Sequence, residues 1–316
     1  MHNRKAWPKL LIAAAMGLAI LVPMSVAGQG KTKRLPRGPR VLWQAPSNIQ
    51  SRDLYLGPGG EAMRPDLSQI TFLEEDKGGY SGTKYRIRDG AGQEWVAKIG
   101  REAQSEVAAI RLLWAAGFET EINYLVPVLT IPGKGTFEEV RLEGRPKTEK
   151  RHDEWQWKSN PFIGKRQFQG LKIMMLLLEN WDIKDSNNEI IQVKETGKLR
   201  YVVSDLGATF GKTGGLPVFW TITRSRNKPE DYEKAKFVEG VKGNIVKFRY
   251  KGKMGSIFEN ITVADARWLG GWLSRLRRNQ ISDAFRAANY TAEETQTLTE
   301  AVMDRIEQLR TVRRRR

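Results

Sequence analysis

Hydrophobic side chains alternate with polar ones in the first third of the chain and follow a helical period in much of the remainder. Short alternating runs separated by glycine-containing turns are typical of antiparallel β-hairpins. One stretch of the first third instead places Val107, Ile110 and Leu113 on a single helical face. The pattern therefore predicts strand, strand, helix, strand and strand at residues 84–88, 94–99, 105–117, 124–131 and 137–142.

The second half of the sequence has mainly helical periods. A capping box, in which Thr291 is followed by Glu294, marks the start of the last predicted helix. We predict helices at residues 168–180, 262–276, 282–288 and 291–312, and hairpins at 190–203 and 237–258. The expected fold class is α+β, with a small β-rich lobe at residues 51–145 and a larger helical lobe at residues 146–312.

The N-terminus has the composition of a secretory signal peptide. Arg4, Lys5 and Lys9 precede an apolar run at residues 10–22, and small residues follow before Gly28. We therefore predict a signal peptide at residues 1–27 and an exported protein, periplasmic or secreted. The alternative is a membrane anchor formed by residues 10–22, which are fewer than a membrane span usually needs.

Charge and cysteine content narrow the possible functions. The chain contains no cysteine, which excludes disulfides and cysteine metal sites, and its net charge is +17. Basic residues concentrate at residues 31–40, within a predicted linker at residues 28–50, and in the C-terminal tail at residues 313–316. These ends are expected either to be solvated or to contact an anionic surface. We find no signature of specific nucleic-acid recognition.

Residues suited to phosphate chemistry occur in a fixed order along the chain. Glycines in a turn can expose their N–H groups to phosphate, and carboxylate and amide oxygens suit Mg²⁺ or Mn²⁺. A lysine late in a strand and a glutamate on the next helix can form an ion pair. The order is Gly78, Gly79 and Gly82, then Lys98, Glu106, Asp182, Lys184, Asn187 and Asp205.

In this order and context, residues 72–215 resemble the protein-kinase-like superfamily. The family pattern is a glycine-rich loop, a strand lysine, a helix glutamate, an Asp-x-Lys-x-x-Asn segment and an Asp-Phe-Gly segment. This chain departs from it with Asn180-Trp181 before Asp182 and with Asp-Leu-Gly at residues 205–207. Residues 205–211 are similar to the corresponding stretch of secretory-pathway (Golgi) kinases, and other features resemble HipA-type bacterial kinases.

The resemblance implies a role for each residue. ATP phosphates would lie on the glycine turn and on Lys98, and Glu106 would hold that lysine, with Glu102 as the alternative partner. Asp182 would orient or deprotonate the acceptor hydroxyl, and Lys184 would lie near the transferring phosphoryl group. Asn187 and Asp205 would bind Mg²⁺ or Mn²⁺, and Asp185 and Asn188 are the neighbouring alternatives.

The favoured function is an exported, metal-dependent phosphotransferase that moves the γ-phosphate of ATP to a hydroxyl acceptor in a protein, sugar or lipid. We expect it to act as a monomer. Two alternatives remain open: an inactive kinase-like binding or scaffold protein, and a basic exported protein that binds an anionic polymer.

Overall fold

The computed structural model describes residues 35–75, 83–214 and 223–314. The chain divides into two units, Met1–Arg34 and Leu35–Arg316, and every described residue belongs to the second unit. The predicted signal peptide, the three glycines of the predicted phosphate turn and the last two residues of the basic tail lie outside the described residues.

Residues 40–50 belong to the folded unit, which corrects the prediction of a linker at residues 28–50. Strand β1, Arg40–Val41, pairs in parallel with a later strand at Leu199. Leu42 is buried, and the Trp43 Nε1–H group donates to the Ala116 carbonyl at 2.7 Å. The sequence prediction missed these core residues because glycine, proline and basic residues surround the few apolar positions.

The β-rich part of the molecule is a five-stranded antiparallel sheet crossed by one helix. The spatial order of its strands is β2-β3-β4-β6-β5, and the helix α1 connects β4 to β5. All five predicted elements of this part are present, with small shifts at their ends. They are β3 (Lys84–Arg88), β4 (Glu94–Lys98), α1 (Ala103–Ala115), β5 (Asn123–Ile131) and β6 (Gly135–Gly144), and the sheet also has the edge strand β2 (Thr71–Glu75).

The remainder of the chain combines helices with two small sheets. One sheet has the order β1-β9-β8-β7, and the other is the hairpin β10-β11. The elements are β7 (Glu149–Arg151), α2 (Arg166–Leu177), β8 (Asn188–Val193), β9 (Leu199–Val203), α3 (Pro229–Lys234), β10 (Val238–Lys242), β11 (Ile245–Phe248), α4 (Val263–Leu273), α5 (Arg278–Arg286) and α6 (Ala292–Thr311). The architecture is thus a mixed α+β fold.

Besides β1, the sequence prediction missed two further short elements, β7 and α3, and misplaced the start of helix α5. β7 and α3 are rich in charged residues and have no apolar period. Helix α5 begins four residues before the predicted Ser282, because its first turn is polar and is capped by Gln280, whose side chain accepts the Arg277 N–H at 3.0 Å. The capping box of Thr291 and Glu294 is present at the start of α6, as predicted.

Helix α2 lies at the centre of the larger hydrophobic core and leads directly to the Asn180-Trp181-Asp182 segment. The helix ends at Leu177, and Glu179, two residues further on, is a buried residue in the left-handed conformation with φ of 56°. Arg305 from α6 lies 3.2 Å from Glu179 Oε1 and donates to the Leu177 carbonyl at 2.9 Å. This buried ion pair secures the turn that precedes the predicted catalytic segment. None of the described helices is both long and apolar enough to cross a membrane.

Arg305→Met is expected to lower the free energy of unfolding by about 3–5 kcal/mol, because Glu179 would remain as a buried, unpaired carboxylate. The matched control is Arg310→Met on the same helix, which removes an exposed ion pair with Glu307 and is expected to cost less than about 1 kcal/mol. Denaturant unfolding measures both variants. Equal losses for the two variants would contradict a structural role for the buried pair.

Candidate active site

Strand β4 ends at Lys98, and the register of the sheet surrounds this lysine with other basic residues. Lys84 on β3 pairs with Lys98 from one side, and Arg141 on β6 pairs with it from the other. Directly opposite side chains lie on the same face of an antiparallel sheet, so the three cations form a row. Like charges this close are destabilising unless carboxylates compensate them.

Two glutamates of the α1 region supply part of that compensation. Lys98 Nζ donates a hydrogen bond to Glu106 Oε2 at 3.1 Å and lies 2.8 Å from Glu102 Oε2. Lys98 and Glu106 are buried, with 4% and 1% of their side chains exposed, and Arg141 binds the other oxygen of Glu106. Because the two glutamates are four residues apart at the start of a helix, they share a face. Both therefore reach the lysine.

The Asp-Leu-Gly segment after β9 packs against the start of α1. A Cβ atom on Gly207 would lie 2.6 Å from the Glu102 Cβ, so only glycine fits this close approach. Ser105 Oγ also donates to the Gly207 carbonyl at 2.9 Å. These contacts place Asp205 Oδ1 3.7 Å from Lys98 Nζ.

The surroundings of Asp205 favour its charged form. Burial alone would raise the pKa of this carboxyl, but Lys98, the Gly207 N–H group and Arg141 outweigh that cost, so its pKa is lowered. About a third of the side chain (34%) is exposed. Asp205 therefore presents an ionised carboxylate that a ligand can reach.

The hairpin of β8 and β9 brings Asn187 beside Asp205, as the predicted spacing required. The strands pair Asn188 with Val203, so the residues just outside the hairpin meet. The Asn187 carbonyl accepts the N–H groups of Ser204 at 2.7 Å and Asp205 at 3.4 Å. The backbone therefore holds the two predicted metal ligands next to each other.

Asp182 is held by main-chain contacts and by two lysines. Asn187 Nδ2 donates to the Asp182 carbonyl at 2.9 Å, and the Asp182 N–H donates to Asn180 Oδ1 at 3.1 Å. Its carboxylate lies 3.2 Å from Lys184 Nζ and forms a close ion pair with Lys253. The carboxylate therefore has a cation at each oxygen.

Lys253 was not identified from the sequence, because it lies far from Asp182 along the chain and in no recognisable motif. Its N–H group donates to the Trp181 carbonyl at 2.8 Å. Tyr250 Oη donates to the Asn180 carbonyl at 3.0 Å, and a Cβ on Gly252 would lie 2.7 Å from the Trp181 Cα. The segment that carries Lys253 thus packs tightly on the segment that carries Asp182.

The neighbouring alternatives, Asp185 and Asn188, make structural contacts. Asp185 Oδ1 accepts the Trp157 N–H at 2.9 Å, and Asn188 Nδ2 donates to the Trp155 carbonyl at 2.8 Å. These contacts anchor the loop between α2 and β8 to Trp155 and Trp157. Asp182 and Asn187, in the same loop, line the cavity described next.

A single cavity of about 580 Å³ contains the predicted site residues that the structure describes. Among the described residues that line it, only Val96 and Trp181 are apolar, which suits a charged ligand. The predicted residues in the cavity are Lys98, Glu106, Asp182, Lys184, Asn187 and Asp205. Their roles stay predictions, as does the contact of Gly78, Gly79 and Gly82 with phosphate, because those glycines lie outside the described residues.

The residues of the cavity fit a divalent metal ion that is shared with phosphate. Asp205 offers a carboxylate, and Asn187 uses Nδ2 within the protein, which leaves its Oδ1 for a ligand. Mg²⁺ is usually held by one or two protein oxygens together with the phosphates of a substrate. In the part of the chain that the structure describes, no group of three or more acidic or histidine side chains is placed to hold a metal ion by itself.

Comparison with known proteins finds similarity at the level of structure. No protein-family model matches the chain, and no curated protein matches it in sequence. The Helicobacter pylori proinflammatory kinase CtkA is 13% identical, with 76% of this chain and 96% of that chain covered and a TM-score of 0.49.

Two further kinases are similar over much of their length. The Golgi casein kinase with Mn and ADP bound is 9% identical, with 78% of this chain and 73% of that chain covered and a TM-score of 0.36. The Rio2 kinase from Chaetomium thermophilum, solved with ADP, Mg²⁺ and phosphoaspartate, is 12% identical, with 78% of this chain and 74% of that chain covered and a TM-score of 0.30.

The three solved structures to which the chain is similar are all structures of kinases. At these TM-scores and identities, the likeness does not establish an activity. Any function has to be supported by the contacts within the cavity.

Glu106→Gln is expected to lower the free energy of unfolding by about 3 kcal/mol, because Lys98 and Arg141 would remain buried with one carboxylate fewer. Glu102→Gln is expected to cost less than half as much, because its side chain is 11% exposed rather than 1% and it binds Lys98 without hydrogen-bond geometry. Urea unfolding followed by tryptophan fluorescence compares the variants. A larger loss in Glu102→Gln would contradict the role of Glu106 as the carboxylate on which the buried charges depend most.

Proposed function

We propose that the protein is a metal-dependent phosphotransferase of the protein-kinase-like type, which transfers the γ-phosphate of ATP to a hydroxyl acceptor. The observation that carries this proposal is the meeting of the buried Lys98–Glu106 pair with Asp205 and Asn187 in one polar cavity. On this view the β-rich part at residues 51–145 and the helical part at residues 146–312 are the two lobes of a kinase-like fold, and the nucleotide binds between them.

Electrostatic neutralisation is the main requirement of phosphoryl transfer. Lys98 presents an ammonium group to phosphate oxygens, and Glu106 fixes its position through a direct hydrogen bond. Asp205 and Asn187 would hold Mg²⁺ or Mn²⁺, whose charge would neutralise the phosphates when it is bound. The lowered pKa of Asp205 supports this role, because an ionised carboxylate is the form that binds a cation.

Asp182 is the proposed base and orienting group for the acceptor. The acceptor oxygen forms a bond to the γ-phosphorus as the bond from that phosphorus to the leaving oxygen of ADP breaks, and Asp182 takes the hydroxyl proton. Lys184 and Lys253 hold both oxygens of this carboxylate and place two cations where the acceptor and the phosphoryl group would meet.

The main alternative is a kinase-like binding protein without activity. The presence of Lys98, Asp182, Asn187 and Asp205 in one cavity supports the enzyme instead, because loss of any of them would be expected in an inactive relative. We also propose export to the periplasm or outside the cell through residues 1–27, action as a monomer, and attraction of the basic ends to an anionic surface.

Asp205→Asn is expected to abolish the Mn²⁺-dependent increase in thermal stability that ATP produces in the wild type. A ligand at about 100 times its dissociation constant stabilises a protein by about 2.7 kcal/mol, which a thermal-shift measurement resolves. The matched control is Asp182→Asn, which leaves the metal ligands intact and is expected to keep the increase. A metal-dependent increase that survives in Asp205→Asn would contradict the assigned metal site.

Lys253→Ala is expected to lower the rate of ATP hydrolysis, with water as the acceptor, by about 100-fold, because it removes a preorganised cation from the transfer centre. Nucleotide affinity is expected to change little, since Lys253 contacts Asp182 rather than the residues assigned to the nucleotide. Lys251→Ala is the control, because this side chain is exposed and only its main chain is used. Equal rates for the two variants would remove Lys253 from the transfer centre.

A further inference from the structure

A second cavity adjoins the candidate active site at Trp181. Its volume is about 640 Å³, and it shares Lys98, Glu102, Trp181 and Arg226 with the first cavity. We call it the arginine cavity, because its other side chains are mainly basic. The residues that define it are Arg101, Trp181, Arg224, Arg226 and Lys228.

Among the residues that the structure describes, the positive charge of the arginine cavity is only partly compensated. Arg226 forms a close ion pair with Glu102, and Lys228 Nζ lies 3.9 Å from Asp231. Arg101 and Arg224 have no carboxylate partner among the described residues.

Two cations of this cavity, Arg224 and Arg226, are held in place by the protein. Arg224 and Arg226 lie over the Trp181 ring, with guanidinium carbons 5.5 and 4.7 Å from its centroid. Arg224 also donates to the Lys251 carbonyl at 3.0 Å, and Trp181 Nε1 donates to the Ser225 carbonyl at 3.0 Å. Two guanidinium groups near one indole ring repel each other, and an anion between them and Arg101 would offset that repulsion.

Burial adds to the cost of this arrangement. Desolvation lowers the pKa of the Arg226 guanidinium. A bound anion would favour the charged form. Because Arg224 and Arg226 already have protein contacts that hold them, little further ordering of these two side chains would be needed when such a group binds.

We propose that the arginine cavity binds a phosphate or carboxylate group of the acceptor, so that the acceptor is an anionic hydroxyl compound. This inference rests on the proposed function, which assigns the acceptor hydroxyl to Asp182. Trp181 lines both cavities and immediately precedes Asp182, so an acceptor anchored beside Trp181 extends directly to the carboxylate. The cavity thus supplies the recognition element for which the sequence offered no motif.

The first test measures binding without nucleotide. The probes are a serine peptide flanked by glutamates, its glutamine-flanked counterpart, glycerol 3-phosphate and glycerol. At least one anionic probe is expected to bind about tenfold or more tightly than its neutral counterpart, with affinity that falls as salt increases. The two pairs distinguish a carboxylate on a polypeptide from a phosphate on a small molecule. Equal affinity within both pairs overturns the proposal.

Variants locate the binding. Arg101→Gln and Arg224→Lys are expected to weaken the anionic probe about tenfold, and the lysine variant keeps a positive charge to limit structural damage. Arg267→Gln, an exposed arginine on α4, is the control and is expected to bind normally. An anionic preference that both cavity variants retain would place the site elsewhere and overturn the proposal.

Transfer kinetics separate this inference from the proposed function. Arg101→Gln is expected to raise the KM for the anionic acceptor about tenfold while kcat and the affinity for ATP with Mn²⁺ stay unchanged. A wild type that binds the anion but not ATP with Mn²⁺ would contradict the proposed function and leave the anion site standing. A lower kcat with unchanged KM would overturn a role for Arg101 in acceptor recognition.

Discussion

The buried ion pair between Lys98 and Glu106 is the interaction on which the site depends. Removal of two charges from water costs several kcal/mol per ion. Such a pair is therefore stable only where each charged group has its full set of ionic and hydrogen-bonding partners. Here Arg141 takes the second oxygen of Glu106, and Asp205 and Glu102 lie within ion-pair distance of the lysine. The strand, the helix and the Asp-Leu-Gly segment are therefore held together by charge, and the same charges face the cavity.

A second buried pair secures the opposite wall of the cavity. Arg305 and Glu179 hold the end of α2, from which the chain passes into Trp181 and Asp182. Lys253 reaches the same carboxylate from a separate segment that packs on this turn. Charged groups that are fixed before a ligand binds need not be reorganised during a reaction. Such preorganised groups accelerate a reaction by stabilising the charge that develops in its transition state.

Local patterns account for what could be predicted from the sequence. The hairpin that separates Asn187 from Asp205 and the capping box at Thr291 depend on near neighbours, so spacing alone indicated them. Lys253 and Arg141 owe their positions to tertiary packing and strand register, which no local period reveals. The choice between Glu102 and Glu106 could not be made because one helical turn separates them, and the structure shows that both contact the lysine.

We propose that Asp205 and Asn187 hold a metal ion together with nucleotide phosphates. Electron paramagnetic resonance of Mn²⁺ tests it most directly, because the signal of the free ion is lost on binding. We expect the wild type to remove free Mn²⁺ from solution much more strongly with ATP than ATP does alone, and Asp205→Asn to add nothing to the effect of ATP. Equal binding of Mn²⁺ and ATP by the wild type and Asp205→Asn would contradict this account of the site.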